Sequence, residues 1–224
     1  MDLEDLPAGA VAAGAAAGVH RLSLRGNRLV TLPSVLGVLE GLRSIDLRDN
    51  RFVGLPEVLL SLTGLGELRL EGNPLSDLPP EILNQPAAVI LEFARRVRAA
   101  RATASMGLAG LGLVVVPAAS MGAAGLVELV LDDNRLTGLP DSICWALPSL
   151  TRLSARRNQL AGALPLRIGL MTALTALDVA QNRLRTLPPG LALLTRLRTL
   201  STAGNPVCPV PSEPFLCRLS AFLS

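Results

Sequence analysis

The stretch LSLRGNRLVTLP, residues 22–33, decides the fold because its pattern returns along the chain. It reads L-x-L-x-x-N-x-L-x-x-L-P, and seven of the eight asparagines in the chain fall at its Asn position. Successive copies lie 23, 23, 38, 23, 24, 24 and 23 residues apart. Self-similarity at such a period predicts stacked repeats rather than one ordinary globular core. The Asn positions, here called the ladder positions, are Asn27, Asn50, Asn73, Leu111, Asn134, Asn158, Asn182 and Asn205.

Each copy predicts a short strand, a turn and a return segment. The L-x-L pair alternates between two faces, as the residues of a strand do. After each Leu-Pro, apolar residues recur every three positions, as at Leu36, Leu39 and Leu42, which is typical of a helical or 3₁₀ segment. In the fifth copy this segment holds Cys144 and Trp145, which we expect to pack in the interior. One repeat cannot cover its own leucines, so the copies must stack.

The asparagine of each copy stands where the strand turns away from its neighbours. Its amide group can both donate and accept hydrogen bonds, so it can satisfy backbone groups that the turn would leave without partners. We therefore expect the seven asparagines to stack on one another as a continuous hydrogen-bonded ladder inside the array.

These units resemble the 23-residue leucine-rich repeats of the intracellular, Ras-group type, over about residues 20–210. The copy LAGALPLRIG at residues 160–169 also resembles the 24-residue plant-type unit. The resemblance implies an α/β fold, namely a right-handed curved solenoid of about eight repeats with a parallel β-sheet on its concave side.

The one long interval between copies predicts a helical insertion at about residues 80–102, in a stretch rich in Ala and Arg. This segment resembles the ending that closes the array in many intracellular members of the family. It either bulges from one continuous solenoid, which we favour, or caps a first block before a second block begins near residue 103. The predicted organisation is an Ala/Gly-rich N-terminal cap at 1–19, a solenoid at 20–207 and a C-terminal cap at 208–224.

Four arginines lie close together near the end of the predicted helix. They form either a basic patch for an acidic partner or membrane surface, or a solvated face at a helix C-terminus, where the macrodipole favours cations. They are Arg95, Arg96, Arg98 and Arg101.

The composition excludes most catalytic chemistry. All 21 basic residues are arginine and His20 is the single histidine, so neither a lysine-based phosphate loop nor a two-histidine metal site can form. The net charge of +3 and the aromatic content of 2% do not favour nucleic-acid binding. We therefore predict that the protein is not an enzyme and uses no cofactor, metal or nucleic acid.

The sequence also indicates where the protein resides. The uncharged stretch at residues 102–127 is interrupted by Pro117 and by polar residues, so we expect soluble core rather than membrane insertion. An acidic amino terminus does not indicate export, and three cysteines without a CxxC pair favour reduced thiols. We predict a cytoplasmic protein.

The remaining candidate site is the concave face, formed by the residues around each L-x-L pair. We expect its charges to pair across neighbouring strands, as Asp46 with Arg69, or to form a docking strip for a protein, and the two are compatible. Arg48 and Glu71 are a second expected pair. Three acids of the fifth copy stand against three arginines of the sixth, namely Glu128, Asp132 and Asp133 against Arg152, Arg156 and Arg157. The predicted partner-binding residues are Arg25, Arg48, Arg69, Glu71, Glu128, Asp132, Arg152, Arg156 and Arg157.

From these features we predict a non-catalytic scaffold that binds a protein partner through the concave face, with a role in signal transduction. The alternative is a regulatory or substrate-targeting subunit of a signalling enzyme, a phosphatase or a ubiquitin ligase, whose activity another chain supplies. A third hypothesis is an architectural role in a large assembly such as an axoneme.

Overall fold

The computed structural model describes Gly9 and residues 18–206. The chain forms two compact units, Met1–Arg95 and Arg96–Ser224. The continuous solenoid stays a prediction.

Several predicted features lie outside the described residues. They are the C-terminal cap at 208–224, nearly all of the N-terminal cap at 1–19, and the two cysteines Cys208 and Cys217.

Three short strands of the first unit form a parallel sheet. Ile45 lies opposite both Leu22 and Leu68, because each strand occupies the same place in its repeat. The return segments are short helices, as the three-residue apolar spacing predicts. The strands are β1 (Arg21–Ser23), β2 (Ser44–Asp46) and β3 (Glu67–Arg69). The return segments are the 3₁₀ helices Ser34–Val38 and Glu57–Ser61 and helix α1 (Pro80–Leu83).

A parallel sheet of five strands forms the second unit, and Leu177 lies opposite both Leu153 and Leu200. Its strands are β4 (Ser105–Gly107), β5 (Glu128–Val130), β6 (Arg152–Ser154), β8 (Ala176–Asp178) and β10 (Thr199–Ser201). Two further strands, β7 (Ala161–Ala163) and β9 (Arg183–Thr186), pair with each other at and after the plant-type copy. The return segments are helices α3 (Ala118–Met121) and α4 (Ile143–Ala146) and the 3₁₀ helices Leu166–Leu170 and Pro189–Leu193.

Prolines fix the backbone where the return segments begin. At Pro33 and Pro188, φ is −65° and −68°, close to the value that the proline ring imposes. The carbonyl oxygen of each proline then accepts the first hydrogen bond of its 3₁₀ helix, from Leu36 at 3.0 Å and from Leu191 at 3.1 Å. The Leu-Pro step of the repeat therefore starts the return path at a fixed angle.

The ladder asparagines bind main-chain groups of two successive repeats. The amide of Asn158 donates to the carbonyl oxygens of Leu131, at 2.9 Å, and of Ala155, at 3.1 Å. Its own oxygen accepts from the N–H of Leu136 at 3.0 Å. The ladder therefore runs through the backbone of each turn rather than from one amide to the next, which corrects the expected stacking. The same arrangement recurs at Asn50, Asn73, Asn134, Asn182 and Asn205.

The residue before each ladder position has a left-handed backbone. Glycine reaches this conformation without strain, whereas other residues lose roughly 1 kcal/mol in it. At Asp133, for example, φ is 56°, and the turn aims its N–H at the carbonyl oxygen of Arg156 in the next repeat, 3.0 Å away. The turn thus extends the pairing beyond the strands. The eight positions are Gly26, Asp49, Gly72, Gly110, Asp133, Arg157, Gln181 and Gly204.

The predicted helical insertion is present as α2 (Ala87–Thr103), with Ile90 and Phe93 buried. Arg98 and Arg101 are exposed near the end of the helix, and their role stays a prediction, whereas the other two arginines of the cluster contact the main chain. Arg95, in the first unit, donates to the carbonyl oxygen of Leu60 at 3.2 Å. Arg96, in the second unit, donates to that of Ala109 at 3.0 Å. Two of the four arginines therefore hold the helix to main-chain acceptors, each within its own unit.

Candidate functional site

The candidate site is the sheet face, meaning the side chains before, between and after the two inward residues of the L-x-L pair in each copy. In the first unit its charges pair along single strands. Arg48 binds Asp46 through two contacts, Nε to Oδ1 at 2.9 Å and Nη2 to Oδ2 at 2.6 Å. Arg69 binds Glu67 on its own strand through a single carboxylate oxygen, Oε1, which lies 2.8 Å from Nε and also contacts Nη2. Residues two apart on a strand project to the same side, so each guanidinium closes on its own strand's acid.

The cross-strand ion pairs predicted for this unit are therefore wrong. Asp46 lies opposite Arg69 in the sheet, but its carboxylate accepts the side chain of Arg48 and also the backbone N–H of Arg48, at 3.1 Å. Glu71 is exposed and attracts Arg48 only at longer range. Arg25 does pair with the next repeat, with its Nε 2.8 Å from Asp49, but both side chains are half-exposed and such pairs stabilise weakly.

These contacts lower the pKa of two carboxyl groups. The hydrogen bond from Arg48 holds the pKa of Asp46 below its ordinary value, against the desolvation that raises it. The hydrogen bond from the hydroxyl of Ser44, at 2.7 Å, and then that from Arg69 lower the pKa of Glu67. On the sheet face of the first unit, Asp46 and Glu67 are thus neutralised by the arginines of their own strands.

In the second unit the first charged pair lies across two strands. Glu128 and Arg152 are opposite each other on β5 and β6, and Arg152 Nη2 lies 3.0 Å from Glu128 Oε1. Ser105 on β4 donates to the other carboxylate oxygen at 2.8 Å. The Arg152 side chain is 63% exposed, so its guanidinium remains accessible to a partner.

Asp132 was expected to pair with an arginine side chain of the sixth copy, but it binds a hydroxyl and a backbone N–H group. Its Oδ1 accepts the hydroxyl of Ser154 at 2.6 Å and the backbone N–H of Arg156 at 2.9 Å. Arg157 makes a longer contact with Asp133, 3.5 Å between Nη1 and Oδ1. Arg156 is exposed, and its guanidinium forms no ion pair with any residue in the described range 18–206.

A shallow, open pocket of about 340 Å³ lies beside Glu128 and Arg152 at the edge where the strands begin. Thr151 donates its hydroxyl hydrogen to the carbonyl oxygen of Val127 at 3.1 Å, and Thr175 donates to that of Thr151 at 3.0 Å. Both hydroxyl oxygens are therefore left to accept. These threonines were not among the predicted site residues, although Thr two positions before the first leucine of the L-x-L pair, in two successive copies, is a visible signal.

The return side of the second unit differs from the prediction at one residue. Cys144 is buried, and burial, followed by the nearby Asp141, raises its pKa to about 11. Trp145, which we expected to be packed, is 53% exposed, because helix α4 directs Ile143 and Cys144 inward and the next position outward. The guanidinium carbon of Arg167 lies 5.8 Å from the centre of the indole ring.

The structure also shows what His20 contacts, and whether the described residues include a metal site or a membrane-spanning helix. His20 Nδ1 lies 3.0 Å from the carbonyl oxygen of Gly41. Within the described part of the chain, no group of three or more His, Cys, Asp or Glu side chains is arranged to hold a metal ion. Within the same part, no helix has both the length and the hydropathy needed to span a bilayer.

Comparison with known proteins finds partial matches. No family model matches the chain. It is 36% identical over 84 residues to mouse leucine-rich repeat serine/threonine-protein kinase 1, which covers 36% of this chain and 4% of the kinase. It is 38% identical over 109 residues to mouse vasorin, which covers 46% of this chain and 16% of vasorin. A leucine-rich repeat and calponin homology domain-containing protein of Drosophila melanogaster is 41% identical over 70 residues, 31% of this chain and 8% of that protein. The chain thus spans less than a fifth of each of these relatives.

Solved structures are similar over longer stretches. A leucine-rich repeat protein of Leptospira interrogans superposes with a TM-score of 0.48 and 27% identity, over 99% of this chain and 51% of that chain. Internalin C2 of Listeria monocytogenes superposes with a TM-score of 0.48 and 22% identity, over 97% of this chain and 90% of that chain. A loose resemblance of the mid-chain helix arrangement to leucine-rich-repeat-containing protein 40, suggested by the sequence, stays a prediction.

Proposed function

We propose that this leucine-rich repeat protein binds a protein partner through the sheet face of its second unit and catalyses no reaction itself. The observation that carries the proposal is the exposed guanidinium of Arg156, which pairs with no carboxylate within residues 18–206. In the first unit, by contrast, Arg48 closes on Asp46 through two contacts. A partner can therefore engage Arg156 without first breaking an ion pair.

The surroundings of Arg156 favour a rigid contact surface. Its backbone N–H is bound to Asp132, and the same carboxylate binds Ser154, so neighbouring strands are held together at this point. Surfaces that are ordered before binding lose less conformational entropy on association. Arginine is also enriched among the residues that dominate protein–protein interfaces.

The chemistry of the partner follows from the available groups. Arg152 and Arg156 present donors for carboxylates, in a geometry that suits paired contacts. Arg152 lines the pocket together with Thr151 and Thr175, whose hydroxyl oxygens can only accept. The surface therefore suits an acidic segment that also offers an N–H or O–H donor to the pocket.

The other hypotheses about function are not favoured by any particular contact. Targeting of a phosphatase or ubiquitin ligase, an architectural role, a role in signal transduction and a cytoplasmic location all stay predictions.

A charge-reversal experiment tests the proposal. The chain is immobilised as wild type, as R152E/R156E and as the control R51E/R135E, and captured proteins are quantified by mass spectrometry. Arg51 and Arg135 are exposed, each follows a ladder asparagine, and their reversal changes the net charge by the same amount. We expect a set of proteins that the control retains and R152E/R156E loses. Equal capture by all three forms would exclude the sheet face of the second unit as the binding surface.

A further inference from the structure

Three successive repeats of the second unit present an apolar side chain at the same outward place on the return side. Trp145, Leu170 and Leu193 each lie five residues after the proline of their repeat, and they are 53%, 56% and 65% exposed. Leu166, in the middle repeat, is 75% exposed. Isolated exposed leucines are ordinary, but aligned ones on neighbouring repeats form a continuous surface. We call these four residues together with Arg167 the return-side patch.

Contacts within the patch show that its members are neighbours. The Arg167 guanidinium lies over the ring of Trp145. Leu193 lies directly over Gly169, where an added Cβ would stand 2.9 Å from Leu193 Cδ1. The same added Cβ would stand 2.8 Å from the carbonyl oxygen of Gly190, so the two 3₁₀ helices approach closely. The patch is therefore built on a tightly packed base.

The charges around the leucines of the patch are nearly all positive, whereas one acid, Asp141, is exposed four residues before Trp145. Between residues 160 and 198 the chain carries five arginines and one acid, and that acid, Asp178, lies on strand β8 of the sheet. The arginines outside the strands of the main sheet are Arg167, Arg183, Arg185, Arg196 and Arg198. Among them, Arg167 and Arg196 are exposed; Arg167 follows Leu166 directly in the chain, and Arg196 follows Leu193 by three residues. An apolar surface edged by cations is complementary to an apolar segment edged by carboxylates.

We propose that the return-side patch is a second docking surface, which binds an acidic amphipathic helix of a partner protein. Successive repeats are separated by roughly 5 Å, the spacing of paired strands. The aligned side chains of three repeats therefore extend over roughly 10 Å, which matches two turns of a helix and its apolar positions i, i+3 or i+4 and i+7. The indole and the leucines contact the apolar side of that helix, and Arg167 and Arg196 pair with its carboxylates.

Two other occupants fit the surface less well. An anionic lipid surface carries phosphates over its whole area and would bring them against Asp141, which is exposed one turn before Trp145, whereas a helix can place its carboxylates beside the arginines and away from Asp141. A second copy of the chain would bring arginine-rich return sides together, since each copy carries the same excess of positive charge there. This surface is separate from the sheet face, so its failure and that of the proposed function are distinguishable.

A selection experiment with displayed peptides tests the inference. A library of helix-length peptides is selected on the wild-type protein, and the enriched peptides are measured against variants by titration. The variants are L166Q/L193Q, R167Q, the sheet-face variant R156E and the control V38Q/V53Q, whose valines are 52% and 55% exposed in the first unit. Thermal unfolding checks that each variant is folded. If L166Q/L193Q does not fold, R167Q alone tests the inference.

We expect the enriched peptides to carry acidic and apolar residues at helical spacing. Their affinity should fall about tenfold or more for L166Q/L193Q and R167Q, and stay unchanged for V38Q/V53Q and R156E. The inference is overturned if no enriched peptide depends on the patch, or if the dependent peptides are basic. Two further results would overturn it, if the wild type also retains no peptides. One is dimerisation in sedimentation by the wild type but not by L166Q/L193Q. The other is binding of the wild type, but not of L166Q/L193Q, to vesicles of phosphatidylcholine and phosphatidylserine.

Discussion

Asn158 donates a hydrogen bond to the carbonyl oxygen of Leu131, one repeat earlier, at 2.9 Å. Both groups are buried, so the bond has no water to replace it. The same amide also donates to Ala155 at 3.1 Å and accepts from Leu136 at 3.0 Å. One side chain thus joins two repeats through main-chain groups that would otherwise lack partners.

Replacement of Asn158 by alanine should lower the free energy of unfolding by about 3 kcal/mol, because buried carbonyl and N–H groups lose their partners together. Chemical denaturation measures this loss, and amide hydrogen exchange at Leu136 should become faster. Asn84→Ala is the control, since Asn84 is exposed and donates to the carbonyl oxygen of Pro80, four residues earlier, at 3.1 Å. Equal losses for the two variants would contradict the role given to the bond between repeats.

Glycine at position 169 allows two return segments to pack closely. We expect Gly169→Ala to destabilise the protein by about 1–3 kcal/mol, because its Cβ would stand 2.8 Å from the carbonyl oxygen of Gly190. Gly138→Ala is the control, since nothing lies within 4 Å of an added Cβ there. Thermal unfolding distinguishes the two, and an unchanged midpoint for Gly169→Ala would show that the close approach is not needed.

Acid should weaken the first unit through Asp46. Its pKa is lower in the folded state than in the unfolded state, so the unfolded state binds more protons as the pH falls. The stabilisation is present above roughly pH 4, the ordinary range of aspartate, and is lost as the pH falls through the folded pKa. Unfolding midpoints measured between neutral pH and acid should therefore fall more steeply for the wild type than for Asp46→Asn.

Arg48→Gln provides the second arm of the pH experiment. It removes the hydrogen bond that lowers the pKa of Asp46, so it should also make the pH dependence shallower. Identical slopes in all three proteins would show that this ion pair does not contribute to stability in solution.

The thiol of Cys144 should be unreactive in the folded protein. Its pKa of about 11 leaves about a hundredfold less thiolate than an ordinary cysteine has near neutral pH, and its side chain is buried. In the variant C208S/C217S, iodoacetamide should label Cys144 slowly in buffer and rapidly in concentrated urea. Similar rates under both conditions would mean that the return segment opens readily or that the thiol is exposed.

The repeat spacing was sufficient to predict the parallel strands, the short return helices and the long inserted helix. These features depend on alternation and on proline, which are local properties of the sequence. The pairing of charges was predicted less well, because a register places Asp46 opposite Arg69 but does not say which carboxylate a flexible guanidinium reaches.

The sequence pattern also did not predict which side chains of the return segments are exposed. The three-residue spacing indicates which leucines face inward, but Trp145 follows two inward residues on one helical turn and so faces outward. The left-handed turns, in contrast, do have a signal in the sequence. Gly or Asp stands immediately before the ladder position in six of the eight copies, for example at Gly72 and Asp133.

The ladder asparagines bind main-chain atoms, so the bonds that support the array do not depend on which side chains point outward. A carbonyl oxygen is the same whichever residue carries it, so Ser154 or Arg156 can be exchanged without altering what Asn158 and Asn182 hold. Recognition of a new target could therefore be engineered by rewriting the outward strand positions alone, repeat by repeat, on an unchanged frame.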